Sequence, residues 1–204
     1  MTILIILAHP SKGSFNHAIA KVAKKTLKGL GHKVSFHDLY KENFKPVLPD
    51  LEIPKDSVCH KLIRQHCQEL VECDGIIIIH PNWWGMPPAI LKGWIDRVLR
   101  PGIAYEFLEG DQGEGIPSGL LKTQIAIVFN TANTSKERED HIFLDPLETL
   151  WKNCIFYLCG IKVFYRKIFR IVVTSTEEQR KQWLREVEQV IERYFGKKED
   201  NESL

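Results

Sequence analysis

Residues 80–101, His80-Pro81-Asn82-Trp83-Trp84-Gly85-Met86-Pro87-Pro88-Ala89-Ile90-Leu91-Lys92-Gly93-Trp94-Ile95-Asp96-Arg97-Val98-Leu99-Arg100-Pro101, put two adjacent indoles in a loop restrained by proline and glycine. The run before it, Gly75-Ile76-Ile77-Ile78-Ile79, has the length and β-branching of a buried strand, and residues 88–99 have helical periodicity. The tryptophans therefore stand at the carboxyl end of a central strand, the edge at which open α/β sheets take ligands. Two large rings on a restrained loop suit a flat aromatic ligand. Alternatively, Trp83 and Trp84 are ordinary core aromatics, although a strand-end loop lies mostly at the surface.

A second loop has phosphate chemistry. Ala8-His9-Pro10-Ser11-Lys12-Gly13-Ser14-Phe15-Asn16 leaves the apolar strand 2–7 and opens directly into a helix. Free N–H groups and the positive dipole end at a helix start bind a phosphate, small Ser and Gly side chains admit it, and Lys12 adds charge. An ordinary N-cap at Ser14 beside a solvated Lys12 is the other reading. Neither GxxxxGK[ST] nor GxGxxG is present, so triphosphatase and dinucleotide-fold signatures are not supported.

Alternating elements must position these loops. Apolar patterning predicts strands at 2–7, 32–39, 74–79 and 123–129, with a fifth from 161–165 and 168–173 in one or two pieces. Helices are predicted at 14–30, 57–71, 88–99, 143–159 and 177–195, with an irregular connection over 43–56. This is an α/β chain of the doubly wound class, a flavodoxin-like three-layer sandwich whose five-stranded parallel sheet has order 2-1-3-4-5. Its ligand edge collects the loops after strands one, three and four, the last being Asn130-Thr131-Ala132-Asn133-Thr134. Residues 102–119 hold five glycines, with 110–119 either a mobile lid or a surface excursion.

With 204 residues, 44% of them apolar, one domain over 1–195 is expected, followed by a charged, frayed tail at 196–204. Lys and Arg total 28 against 26 Asp and Glu, so the charge of +2 implies no nucleic-acid partner. No apolar run reaches 18 residues and the amino terminus lacks a signal-peptide pattern, so membrane insertion is not expected and the location is expected to be cytoplasmic. Cys59, Cys67, Cys73, Cys154 and Cys159 are odd in number without a CxxC, and read as reduced thiols. Cys59-His60 and His66-Cys67 cannot form a metal site, because 59 and 66 share one helix face and 60 and 67 another.

His9, Ser14-Phe15-Asn16, Pro81, Trp84 and Pro88-Ala89-Ile90-Leu91-Lys92-Gly93-Trp94, with support from residues 156–160, together resemble the NAD(P)H:quinone oxidoreductases of the flavodoxin-like fold. The resemblance implies a non-covalent flavin, FMN or FAD, with NAD(P)H as co-substrate. It implies a homodimer with sites near the interface, and ping-pong hydride transfer through flavin N5 to a quinone, nitro or azo acceptor. By similarity, His9, Ser11, Lys12, Ser14, Phe15 and Asn16 would hold the phosphate and ribityl end. Pro81, Asn82, Trp83, Trp84 and Gly85 would lie along the ring, their backbone N–H groups bonding its edge. Asn130, Thr131, Ala132 and Asn133 would border the same flavin.

The chain departs from the family where it commonly carries Thr-Thr-Gly-Gly, since Ala132 and Asn133 replace the glycines. Asn133 either bonds the ring or merely takes a left-handed turn. Residues 135–141 contain no tyrosine, so the tyrosine–histidine pair of mammalian members has no counterpart; His141 is either the proton-carrying catalytic group or a surface histidine. Tyr105 and Phe107 align with aromatics lining the substrate cleft, with Trp84 as a third wall. Trp94 reads as a core or subunit-interface residue, and Arg180 as an adenine contact or part of a routine helix start. Two other functions are compatible: a flavin-binding regulatory subunit of a potassium efflux or other transport system, and a one-electron flavodoxin-type carrier, which the near-neutral charge disfavours.

Overall fold

The computed structural model describes residues 1–108, 110–111 and 113–196, and most of the expected frayed tail lies outside these. In chain order the elements are β1 (Thr2–Leu7), α1 (Phe15–Gly29), β2 (Lys33–Asp38), α2 (Lys61–Glu72), β3 (Gly75–Pro81), α3 (Ala89–Val98), β4 (Tyr105–Glu106), β5 (Ser118–Gly119), β6 (Ile125–Ala132), α4 (Lys136–Arg138), α5 (Pro146–Thr149), β7 (Val163–Arg170) and α6 (Glu177–Phe195). Strands β2-β1-β3-β6-β7 form one parallel sheet in that order, the order expected from the sequence once the β4–β5 hairpin is set aside.

Continuous apolar runs make β1, β3 and β6 the central strands, because only positions covered on both faces can carry them. Ile3, Ile5 and Leu7 face α1 and α6 through Ile19, Ala23, Val187 and Ile191. Leu4, Ile6 and Ile78 face α2, α3 and the later helical segment through Ile63, Leu91 and Trp151. Trp94 is a core residue, its indole N–H donating to His66 Nδ1 at 2.9 Å.

Several boundaries differ from the sequence reading. β3 runs through His80 and Pro81, and β6 through Asn130, Thr131 and Ala132, with His80 opposite Asn130 and Pro81 opposite Thr131. Helix α2 begins at Lys61, where the His60 side chain caps it, and β7 is a single strand. The expected 143–159 helix starts later, because Leu144 and Asp145 take left-handed backbone angles (φ 58° and 42°) before Pro146 opens α5; a π-type segment, Leu150–Tyr157, continues it. Helical turns over Lys136–Arg138 and Glu139–Phe143 occupy what reads as loop. The glycine-rich 102–119 segment carries the β4–β5 hairpin, tied down by Leu120 N–H to Ala104 O and Leu121 N–H to Cys159 O.

One buried polar cluster was not visible in the sequence. His37 bonds Glu42 at 2.8 Å through Nδ1 and Glu69 at 2.7 Å through Nε2, and its ring lies tilted by 35° against that of His66 with centroids 3.8 Å apart. His37, Glu42 and His66 are close enough together to suggest metal ligands. However, the Trp94 N–H occupies His66 Nδ1 and so places the proton on Nε2, while both His37 nitrogens face carboxylates; no imidazole lone pair is left for an ion.

Candidate active site

The carboxyl ends of β1, β3 and β6 converge on a cavity of about 410 Å³ lined by His9, Ser14, Asn16, Pro81, Trp83 and Thr131, with Ser11, Phe15, Asn82, Ala132 and Asn133 also contributing. A second cavity of about 530 Å³ shares Asn82 and Thr134 with it and continues outward past Trp84, Gly85, Glu139 and Phe143. Together they form a long trough across the sheet edge. Loops after all three central strands therefore meet at one site.

At its inner end, Ser14 Oγ caps α1 by accepting the His17 N–H at 3.4 Å, and bonds His17 Nδ1 at 2.9 Å. His17 Nε2 reaches Asp38 at 3.2 Å, fixing the cap to the end of β2. Among the described residues, the N–H groups of Phe15 and Asn16 have no acceptor at the first turn of this 15-residue helix. Asn16 is 2% exposed; its Nδ2 donates to Thr131 Oγ1 at 2.8 Å, while its Oδ1 has no partner. His9 Nδ1 accepts the Ser11 N–H at 3.1 Å. Burial, aided by His17, holds the His9 imidazole below its usual range, so at neutral pH it is uncharged with its proton on Nε2. Phe15 stands partly in the core, edge-on to Phe169, and Lys12 is exposed and does not line the cavity.

The outer end is built by a two-residue turn. Trp83 and Met86 exchange backbone bonds at 3.1 and 3.0 Å, and Trp84 (φ 57°) and Gly85 (φ 70°) occupy the tip in the left-handed region of a type I′ turn. A Cβ on Gly85 would meet Pro146 Cγ at 2.8 Å, so the loop can sit against α5 only with glycine there. The Asn82 N–H goes to Thr131 O at 2.7 Å and that of Trp83 to Met86, so only Trp84 and Gly85 of this loop retain free donors. Trp83 is half-exposed near His9, with ring centroids 6.1 Å apart, whereas Trp84 is 101% exposed, so neither indole is a core residue.

Asn130 is fully buried below the floor and lines neither cavity. Its Nδ2 faces His80 Nε2 at 2.8 Å and its Oδ1 accepts from Arg166 at 2.6 Å. Arg166 in turn holds Asp145 and Glu148 at 2.7 and 3.0 Å, fixing the corner that brings Pro146 against Gly85. His80 also accepts from Trp151 Nε1 at 3.0 Å, and burial drives it down to about 3, so it is neutral.

Asn133 does not take the left-handed turn, and it lines the inner cavity. Its φ is not positive, and its Oδ1 accepts the Val173 N–H at 3.0 Å, tying the third loop to the end of β7. His141 is exposed on the Glu139–Phe143 turn and lines neither cavity; the same turn instead contributes Arg138, Glu139 and Phe143. Glu139 was missed by the sequence reading. It is 1% exposed, accepts from Asn82 Nδ2 at 3.0 Å, and leaves Oε2 without a partner. No local motif marks it, since its burial depends on the distant Asn82.

Tyr105 and Phe107 line a separate cavity of about 240 Å³ against α3 and the Leu150–Tyr157 segment, so one chain does not bring them to the trough. Nor do the described residues of 110–119 reach it. The Arg180 guanidinium is tied to Ser175 at the start of α6, where Thr176 and Gln179 form a capping box.

A parallel 2-1-3-4-5 sheet with a ligand trough at the carboxyl ends of strands one, three and four defines the flavodoxin-like class. Residues 1–192 match the Flavodoxin_2 family model, described as flavodoxin-like fold, and the chain belongs to this family. It is 34% identical over 185 residues to an uncharacterized NAD(P)H oxidoreductase of Haemophilus influenzae, covering 89% of each chain. It is 32% identical over 206 residues to mouse ribosyldihydronicotinamide dehydrogenase [quinone], covering 88% of this chain and 85% of the relative. An NAD(P)H:quinone oxidoreductase from Methanothermobacter marburgensis superposes with a TM-score of 0.80 over 98% of both chains; at 23% identity this shows the shared fold.

Proposed function

We propose that this protein is a flavin-dependent NAD(P)H:quinone oxidoreductase. The observation that carries the reading is the trough itself, with an anion-ready helix start and the unpartnered Asn16 Oδ1 at one end and the free Trp84 and Gly85 N–H groups at the other. These residues fit a flavin: phosphate against Ser14, Phe15 and Asn16, ribityl hydroxyls near Asn16 Oδ1 and His9, and the ring system along Pro81, Asn82 and Trp83. When bound, the flavin supplies two-electron hydride chemistry between the nicotinamide and the acceptor.

The chain's own groups provide orientation and charge. His9, uncharged, offers Nε2–H as a donor without a cation's desolvation cost. With a flavin bound, the free Trp84 and Gly85 N–H groups would be the donors of this loop that could stabilise negative charge at the ring edge. Trp84 and Phe143 offer apolar surface to a quinone or azo acceptor on the outer side, and NAD(P)H would use that side in turn, giving ping-pong kinetics. Full exposure of Trp84, with Ile142 and Leu144 also exposed, supports a homodimer that covers this face, and the free cysteines suit a cytoplasmic setting.

Titrating flavin-free protein with FMN and FAD tests the cofactor, by quenching of flavin fluorescence. Saturable one-to-one binding is expected. Failure to bind either flavin overturns the reading, and a flavin-loaded protein that oxidises neither NADH nor NADPH shifts it toward the carrier or transporter-subunit functions.

A further inference from the structure

Asn82 and Glu139 form a polar pair with two spare oxygens. Asn82 Nδ2 donates to Glu139 Oε1 at 3.0 Å, and this fixes the amide, since the reversed amide would set oxygen against oxygen. Glu139 is 1% exposed, yet its Oε2 has no partner, and Asn82 Oδ1 is likewise buried without one. Two acceptors on one bonded pair thus lack a donor among the described residues, and each costs free energy until a donor arrives.

The backbone holds the pair in place from both sides. The Glu139 N–H goes to Ser135 O at 3.1 Å and its carbonyl accepts from the Asp145 N–H at 3.0 Å, while the Asn82 N–H goes to Thr131 O at 2.7 Å. Neither side chain is spent on these turns. Both line the outer cavity of about 530 Å³, where Trp84 and Phe143 supply apolar aromatic surface, so a ligand in that cavity is where the missing donors can come from. The reacting end of a quinone or azo acceptor carries only hydrogen-bond acceptors and gives these oxygens nothing. A dihydronicotinamide carries a flat ring and a primary carboxamide whose nitrogen has two N–H groups, one for each oxygen.

We propose that Glu139, supported by Asn82, is the specificity-determining residue for the electron donor, accepting the carboxamide N–H groups of a nicotinamide in the outer cavity. The inference rests on the oxidoreductase reading, which gives that cavity to donor and acceptor in turn. Glu139 Oε2 takes one N–H and Asn82 Oδ1 the other, fixing the rotation of the ring between its apolar walls. A quinone that follows leaves both oxygens unpaired. The donor is thereby told from the acceptor in a cavity both use, because buried polar groups built to bond one ligand penalise another that cannot bond them.

Equilibrium binding separates this role from a structural one. Flavin-loaded protein is titrated with NAD+ or NADP+, whichever reduced form bleaches the flavin, and with the matching oxidised 3-acetylpyridine analogue, in which a methyl replaces the amide NH2. Neither ligand reacts with oxidised flavin. The unaltered protein is expected to bind the carboxamide form roughly tenfold or more tighter. Glu139→Gln keeps an oxygen for Asn82 Nδ2 and puts an NH2 where Oε2 stood, so the preference should fall to about twofold or less. A general loosening of the cavity would lower both affinities together, so the ratio reports recognition of the amide. Equal affinities in the unaltered protein overturn the proposal, and so does a preference that Glu139→Gln leaves intact, with or without a loss of flavin affinity. If Glu139→Gln does not fold, the ratio in the unaltered protein decides. A flavin that NADH and NADPH both leave oxidised fails the oxidoreductase reading and this inference with it, whereas a reducible flavin with no preference between the two ligands fails this inference alone.

Discussion

Asn16 links structure and proposed chemistry more tightly than any other single residue at the site. Its Nδ2 staples the start of α1 to Thr131 at the end of β6, and its unpartnered Oδ1 sits among the residues that would hold the ribityl chain. Asn16→Ala removes a buried hydrogen bond and leaves Thr131 Oγ1 without that partner, so a loss of about 1 to 3 kcal/mol in urea denaturation is expected. Flavin affinity should fall by roughly tenfold or more in fluorescence titration, since one bond to the ligand is lost as well. Ser14-Phe15-Asn16 was legible in the sequence because a helix start advertises itself through its cap residues. Asn130 was misread for the same kind of reason: a polar residue past an apolar run reads as loop, and only Arg166 and His80, far away in the chain, show that it belongs to a buried strand. Glu139 was illegible on the same grounds, its setting being made by Asn82.

At the scale of elements, the Trp83–Met86 turn makes distinct demands on its two tip residues. Gly85→Ala combines a positive φ with a contact at 2.8 Å to Pro146, and should cost about 1 kcal/mol or more while displacing the loop from α5. Trp84→Ala removes a side chain that is fully exposed in the single chain, so the stability of the isolated subunit should stay within about 0.5 kcal/mol of the unaltered protein. Its effect should appear in kinetics, as a raised KM for quinone with flavin content unchanged, and in weaker dimerisation; a large drop in the Tm of the dissociated subunit would contradict this placement. The sequence marked this loop through its residue types. It did not reveal which N–H groups the turn consumes, because that depends on the exchange between Trp83 and Met86 and on the pairing of Asn82 with Thr131. Likewise, the expected helix from 143 was broken by two consecutive left-handed residues, Leu144 and Asp145, held by the Arg166 ion pairs.

The whole molecule is held in register by apolar strands that any reading of the sequence recovers, and by a polar cluster that none would. Burial alone would lower His37, but Glu42 and Glu69 outweigh it and leave its imidazole above the usual range. A raised imidazole contributes stability fully below its unfolded pKa and loses it as pH rises through the folded value. Burial would raise Glu42, yet His37 and His66 bring it down to about 2, so its contribution holds above the ordinary carboxylate range and is lost as pH falls toward that value. Burial keeps His66 below the usual range, so protonation of the unfolded chain also opposes folding on the acid side. Urea midpoints are therefore expected to peak between these limits, and His37→Gln should lower the peak and remove the decline on its alkaline side. A His37→Gln profile parallel to that of the unaltered protein would contradict this assignment. The cluster joins the end of β2 to α2, and through Trp94 to α3, so its loss should lower cooperativity across that face of the sheet.

Anaerobic half-reactions test the central claim most directly. Flavin-loaded protein is mixed with one equivalent of NADH or NADPH without acceptor, and a quinone is added afterwards, with the flavin absorbance followed throughout. Bleaching of the oxidised band by one nicotinamide in a single two-electron step, then its full return on one equivalent of quinone, is the predicted result. A band that stays unchanged with both nicotinamides, or is bleached but not restored by quinone, would contradict the account.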